Sequence, residues 1–306
     1  MLTKQLMNSA GRKEPIDSLI FSRRFMKIIN HHKESLKKIR IPLGIGSALI
    51  LAYPAGINDA VWVKDRIPDL LRGKDGIPVK SSRFTTVLQF EDWQSGEQFY
   101  CKVFHDRGIK DKIKNVFGFH RSRKAFRAGK ILLQKGFLTP LPVMYGTSYT
   151  FFFAKKNFLI TKAVPGQRTY QYFQSRFQLP LSIEQYTEKR ALIFAAGQEI
   201  GRLHRHGIFH GDLRVGNIII NGTGASVRLY FIDNERTRHY GNMPERKRFK
   251  NLVQLNMVLL PQITRTDRLR FFNAYLTENA ALVLRRKEIL RQIGKMTQKR
   301  YENKFR

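Results

Sequence analysis

The chain has 306 residues, 42% of them hydrophobic, enough to bury a core in one large domain or two lobes. Lys and Arg total 56 against 23 acidic residues; the formal net charge of +33 predicts an anionic partner (nucleic acid, an anionic membrane face or a phosphorylated substrate) and argues against a small cationic one. The one cysteine, Cys101, excludes an intrachain disulfide and fits a reducing compartment.

Residues 1–75 read as a basic N-terminal extension. The first 17 residues lack an apolar run ahead of a small-residue cleavage site, so no secretory signal is expected. Residues 21–40 have the pattern of a basic amphipathic helix. The apolar stretch 41–57 follows, and its cleanest run, 43–53, is shorter than the about 20 residues a membrane span needs. It reads as a buried helix or strand, with a shallow membrane contact as the alternative because basic residues precede it. Gly73, Gly76 and Pro78 mark a break.

A sheet-rich lobe is expected over 76–163. Residues 83–90 are β-branched and aromatic, and 98–104 alternate, with Phe99, Cys101 and Val103 on one face and Tyr100, Lys102 and Phe104 on the other. A turn containing Gly96 joins them into a hairpin. A helix is predicted over about 114–135, capped by Gly136 and stopped by Pro140 and Pro142. Residues 149–161 supply another strand pair, and 163–167 form a linker. A larger helical lobe is expected over 164–306. Leu192, Ala196, Ile200 and Leu203 keep a helical period, with Gly207 as the cap. Two short strands then flank Asn221-Gly222, a hairpin turn signal, and the chain from Lys247 is helical and basic. No internal repeats are visible.

The stretch His210-Gly211-Asp212-Leu213-Arg214-Val215-Gly216-Asn217 carries chemistry. Phosphoryl transfer from ATP needs a carboxylate for the acceptor hydroxyl, oxygen ligands for Mg²⁺ and a cation on the phosphates. Asp212 and Asn217 stand five apart with His210 two before Asp212, the spacing of a protein-kinase catalytic loop. Arg214 sits where such kinases place a lysine near the γ-phosphate. Asp233 ends the second apolar strand as a metal-binding aspartate does, and Lys102 matches the phosphate-holding lysine of an upstream strand. Each residue alone is more simply a turn, cap or solvated residue. The ordered set, after a helix and across a turn signal, points to an α+β, bilobal protein-kinase-like fold with a small antiparallel-sheet N-lobe and a larger helical C-lobe. His204, His206 and His210 fit a helix end running into this loop better than a zinc site, since no cysteine or acidic ligands accompany them.

The segment "GRLHRHGIFHGDLRVGNIII" followed by "LYFIDNERTR" resembles the lipopolysaccharide kinase family, whose members phosphorylate Kdo or heptose sugars of the inner core. Residues 79–90, 99–104 and 122–146 resemble its N-terminal lobe and 252–276 its C-terminal helices, so the resemblance covers about 79–280. It implies Asp212 as catalytic base, Asn217 and Asp233 as Mg²⁺ ligands, Lys102 on the ATP phosphates and His210 as a brace of the loop. No glycine-rich phosphate loop is present; Ser81, Ser82 and Arg83 stand in its position. Residues 161–163 would form the hinge against adenine.

Two departures matter. From Lys112 to Ile183 there is no acidic residue, so the glutamate that pairs with the strand lysine in protein kinases is missing, and Lys102 needs another anion, such as Asp233 or the phosphates. Asn234-Glu235 replaces the usual Phe-Gly, so no glycine hinge follows Asp233. These leave a pseudokinase that binds nucleotide or membrane without transfer, or an atypical protein kinase, as alternatives. The resemblance also gives the charge a use: an inner-core acceptor carries phosphates and acidic sugars and sits in the cytoplasmic leaflet, so a cytoplasmic protein peripheral on the inner membrane is expected. No nucleic-acid-binding motif is visible and no nucleic-acid partner is expected. Oligomeric state is left open.

Overall fold

A computed structural model describes residues 39–42, 49–54, 63, 65–93, 95–106, 120–150 and 153–305, all within one unit spanning 38–306. Strand alternation builds its first half. In β5 (Gln98–Phe104) the side chains of Phe99, Cys101 and Val103 are buried. They join Leu88 and Phe90 of β4 (Thr85–Glu91) in one apolar cluster. β7 (Phe153–Lys162) and the end of β6 (Pro142–Thr150) fall in the stretch 149–161 expected as a strand pair; β6 begins seven residues earlier than expected, and β3 (Ile77–Ser82) precedes the expected hairpin.

β1 (Ile39–Pro42) and β2 (Leu49–Pro54) extend this sheet to seven antiparallel strands in the order β1-β2-β6-β7-β5-β4-β3. Both strands precede the boundary expected at 75. Leu49–Pro54 pairs residue by residue with Tyr149–Met144 of β6, so part of the expected extension covers what would be an open edge. Val63, and Ile67, Leu70 and Leu71 around α1 (Ile67–Arg72), are buried in the same cluster. The apolar stretch 41–57 is therefore strand wherever it is described. The helix expected over 21–40 lies outside the described residues except for Ile39 and Arg40, which are in β1.

α2 (Arg121–Gln134) lies against the sheet with Ala125, Phe126, Leu132 and Leu133 buried. Its end is closed by Gly136 as expected, with Phe137 N–H bonding Leu132 O at 2.9 Å. The start expected near 114 lies outside the described residues.

β8 (Gln167–Arg168) and α3 (Thr169–Arg176) lead into α4 (Ile183–Arg205). A capping box sets the start of α4: Ser182 Oγ accepts from Gln185 N–H while Gln185 Oε1 accepts from Ser182 N–H. Leu192, Ile200 and Leu203 are buried in a second apolar cluster. α4 packs tightly on α6 (Arg265–Thr277), because a Cβ on Gly197 would stand 2.3 Å from Phe271 O and one on Gly201 2.8 Å from Tyr275 O. Inside this contact Lys189 Nζ meets Asp267 Oδ2 at 2.8 Å, both nearly fully buried. Burial raises the Asp267 pKa, but hydrogen bonds from Lys189 and Thr264 outweigh it and hold the carboxyl below its ordinary value.

β9 (Ile208–Phe209), β10 (Ile218–Asn221), β11 (Arg228–Phe231) and β12 (Arg238–His239) form two small sheets around the key loops. The β10–β11 connection is not a two-residue turn at Asn221-Gly222. Asn221 still pairs with Arg228, and residues 222–227 make the turn through a short 3₁₀ segment in which Ser226 Oγ bonds Thr223 O at 2.8 Å. α5 (Glu245–Asn256), α6 and α7 (Arg286–Phe305) complete the helical half. Among the described residues no helix is long and apolar enough to cross a membrane.

Candidate active site

Local geometry places the key loop. The β10–β11 register pairs Ile218 with Phe231, and Ile232 N–H bonds Asn217 O at 3.0 Å. The hairpin thus brings Asn217 beside the Ile232-Asp233 junction. β8 pairs with β10, tying the linker after β7 to the same hairpin. A cleft of about 520 Å³, within the usual range for ligand sites, opens between this unit and the sheet. Val87, Lys102, Leu159 and Thr161 line one side, and Asp212, Ile219, Ile232 and Asp233 the other.

Lys102 Nζ reaches Asp233 Oδ1 at 2.6 Å. The strand lysine therefore takes Asp233 as its anion in place of the missing helix glutamate. Asp233 has φ 62°, ψ 44° and is the one non-glycine residue with positive φ among the described residues. Asp tolerates this left-handed conformation better than most residues, but it still costs about 1–2 kcal/mol. Such strain persists where the surroundings enforce it. The enforcement is visible in Asn234, whose Nδ2 donates to Thr139 Oγ1 at 2.7 Å while Thr139 Oγ1 donates to Phe231 O at 2.6 Å.

Asp212 lines the cleft and its Oδ1 accepts from Arg214 Nε at 2.9 Å and from Gln254 Nε2 at 3.4 Å. Its carbonyl accepts Asn217 Nδ2 at 2.8 Å, leaving Asn217 Oδ1 available as an oxygen ligand. Gly211 before it has φ 80°, and a Cβ there would stand 2.4 Å from Arg236 O, so the loop closes on the segment after Asp233 only with glycine. His210 is fully buried. Burial lowers its pKa, opposed by Asp212 and Asp233. Its ring packs against Phe231 at 6.0 Å, its backbone N–H donates to Asn251 Oδ1 at 3.2 Å and its backbone carbonyl accepts from Thr237 Oγ1 at 3.1 Å.

Of the remaining candidates, Ser82 lines the cleft. Ser82 Oγ donates to Thr85 O at 3.3 Å in the β3–β4 turn. Ser81 and Arg83 are exposed and do not line it, and the Arg83 guanidinium lies over the Phe84 ring. His204 is buried between Tyr275 and Asn251, and His206 packs edge-on to Phe137, so neither joins His210 in one cluster.

Three contributions escaped the sequence reading. Asn251 and Gln254 of α5 connect His204 and the His210 backbone to Leu213 N–H and the Asp212 carboxylate. Their three-residue spacing on one helix face was the available signal. Arg121, at the start of α2, donates to both oxygens of Glu235 at 3.0 Å with both side chains largely buried. It takes the role of a helix-to-site ion pair with the charges reversed.

The hard oxygen donors Asp233 and Asn217, next to a lysine, suit Mg²⁺ and phosphate, and Asp212 suits a hydroxyl proton. Three comparisons agree with this chemistry. In sequence, the chain is 24% identical over 221 residues to the lipopolysaccharide core heptose(I) kinase WaaP of Pseudomonas aeruginosa, covering 69% of this chain and 82% of that protein. In structure, it resembles a chain solved as WaaP in complex with acyl carrier protein, with TM-score 0.60 and 21% identity over 81% of this chain and 98% of the other. The sequence model of the Lipopolysaccharide kinase (Kdo/WaaP) family matches residues 73–275, more than half of the chain. The chain belongs to that family of kinases and is an ATP-using phosphotransferase of the protein-kinase-like fold.

Proposed function

We propose that the protein transfers the γ-phosphate of ATP, with Mg²⁺, to a sugar hydroxyl of the lipopolysaccharide inner core, on Kdo or heptose. The convergence of Asp212, Asp233 and Lys102 on one cleft carries the reading. Asp212 accepts the hydroxyl proton, its carboxylate aimed by Arg214 and Gln254. Asn217 and Asp233 would hold Mg²⁺, and Lys102 and Ser82 would hold the phosphates. Bound nucleotide and metal supply the transferable phosphoryl group and neutralise its charge. His210 acts through packing, as an uncharged brace under the loop. Ser81 and Arg83 stand beside the cleft without lining it, and Thr161 of the expected adenine hinge lines it.

The test is label transfer from ATP with Mg²⁺ to truncated lipopolysaccharides ending in Kdo or in heptose, and to a generic protein. Asp212→Asn should lower transfer at least about 100-fold, the scale of general-base loss, with an unchanged melting profile. Label on the protein alone would make this an atypical protein kinase. ATP binding without transfer to any acceptor would make it a pseudokinase.

The solved relative's partner suggests a second component of the function. The helical half encloses an apolar cavity of about 540 Å³, lined by Phe173, Leu192, Leu229, Val258, Phe272 and others. Its size and apolar walls would suit the chain of an acyl carrier protein, and we propose such a protein as a partner. Co-purification that depends on the carrier's acylation would support this; equal binding of the unacylated carrier would remove the cavity's part in it. The +33 charge supports a location at the cytoplasmic face of the inner membrane, held peripherally by anionic lipid at about 1 kcal/mol for each Lys or Arg near the surface.

A further inference from the structure

A second groove, of about 500 Å³, lies between α5 and α7. Arg246, Lys247 and Lys250 line it from α5, and Lys299 and Arg300 from α7. None of these five forms an ion pair among the described residues. The acids of the two helices are engaged elsewhere: Arg285 holds both Glu245 and Glu288 at 2.8 Å, and Glu302 accepts from Gln298. Five cations around one concavity repel one another.

The groove is wired to the catalytic loop. Gln254, which bonds Asp212, lies one helical turn beyond Lys250 on α5, about 6 Å along the axis. Lys247 and Lys250 both stand over the ring of Phe209, at 5.2 and 5.5 Å, and Phe209 directly precedes His210. The Lys250 pKa is lowered, first by burial and then by Lys247, Arg236 and Arg300, with Asp212 opposing. Lys250 thus feels the catalytic carboxylate and the far wall of the groove together. Arg236 lines the active cleft and also acts on Lys250, so one cation is close enough to influence both sites.

We propose that the α5–α7 groove is the acceptor's anion subsite, where Lys247, Lys250 and Arg300 bind phosphate or carboxylate groups of the sugar acceptor and so present its hydroxyl to Asp212. The proposal rests on the transfer reading above and adds where the acceptor is recognised. A docking surface for membrane alone would need no such link to Asp212.

The test measures binding and turnover separately. The probes are the deacylated core oligosaccharide of a truncated lipopolysaccharide, the same oligosaccharide dephosphorylated or carboxyl-reduced, phosphatidylglycerol vesicles and duplex DNA. The variants are Lys250→Ala/Arg300→Ala, the charge-preserving Lys250→Arg/Arg300→Lys, and Lys287→Ala/Arg291→Ala, which removes two exposed charges from α7 outside the groove. The groove variant should bind the intact oligosaccharide about tenfold more weakly or worse, the loss expected for charged hydrogen bonds. It should raise the acceptor KM and leave the ATP KM unchanged. The charge-preserving variant should restore binding, and the α7 control should match wild type. Convergence of wild type and groove variant on the dephosphorylated oligosaccharide would identify phosphate as the ligand; convergence on the carboxyl-reduced one would identify carboxylate. Unchanged binding, an equal loss with both modified oligosaccharides, or a loss confined to vesicles or DNA would overturn the proposal. If wild type transferred phosphate to no lipopolysaccharide, the transfer reading would fall, while oligosaccharide binding would still judge the groove.

Discussion

Asp233 combines a left-handed backbone with an ion pair to Lys102, so its charge and its conformation can be separated by substitution. Asn adopts the same backbone readily. Asp233→Asn should therefore fold normally and weaken Mg-ATP binding at least tenfold, measured by calorimetry. Asp233→Ala should lose the same binding and about 1–2 kcal/mol of stability as well. Equal Mg-ATP affinity in Asp233→Asn would remove Asp233 from the metal site. His204 offers a second residue-level test. Burial, with help from Arg248, lowers its pKa to about 3, against the opposing hydrogen bond to Asn251. The folded protein keeps this ring neutral, while the unfolded chain protonates it below its ordinary value of 6.5. Its contribution to stability is thus intact above that pH and shrinks as pH falls toward 3, by about 1.4 kcal/mol per unit. His210 shifts in the same direction. The melting temperature should fall between pH 7 and 5, and less steeply in His204→Gln. Identical profiles would assign the acid sensitivity elsewhere.

At the level of elements, α2 has lost the glutamate that usually reaches the strand lysine, and the link to the site has been rebuilt. Lys102 turns to Asp233, and Arg121 grips Glu235 two residues later. Phe104 lies beneath both cations, 5.3 Å from Lys102 Nζ and 4.7 Å from the Arg121 guanidinium. The pair thus fixes the Asp233–Arg236 segment against α2 without a glycine hinge. Removing one partner leaves a largely buried charge unpaired. Arg121→Gln and Glu235→Gln should each lower kcat more than tenfold, and the reversed pair Arg121→Glu/Glu235→Arg should recover part of the loss. No recovery, with both single variants well folded, would show that Arg121 or Glu235 acts on the nucleotide directly instead of through its partner.

Across the whole molecule the charge is uneven in its consequences. Some cations are tied down in structural pairs, such as Lys189 with Asp267 and Arg285 with two glutamates. Others gather without acids in the α5–α7 groove. If surface charge holds the protein to a membrane, association with anionic vesicles should fall steeply between 50 and 500 mM salt, roughly the range over which the Debye length shrinks past a side chain's reach. Salt-insensitive association in a sedimentation assay would point to apolar contact, with the run 43–53 as the first segment to change.

The adjacency of Asp212, Asn217 and Asp233 was readable because its geometry is local. Asp212, Asn217 and Asp233 sit on one hairpin unit, where spacing and strand register alone decide adjacency, and the alternation around Lys102 sets its face of β5. Composition likewise pointed to an anionic partner whatever the fold. The sequence could not reveal contacts between distant elements: Lys102 choosing Asp233 over other anions, Arg121 meeting Glu235, or Asn251 and Gln254 reaching the loop from α5. Nor could it show that Leu49–Pro54 completes a sheet edge, since strand pairing depends on which edge is left uncovered. These pairings cross 41 to 131 positions of the chain, and only packing selects among the many partners such a separation allows. The same reason governs the α5–α7 groove, in which five ordinary surface cations become one site because two helices bring them together.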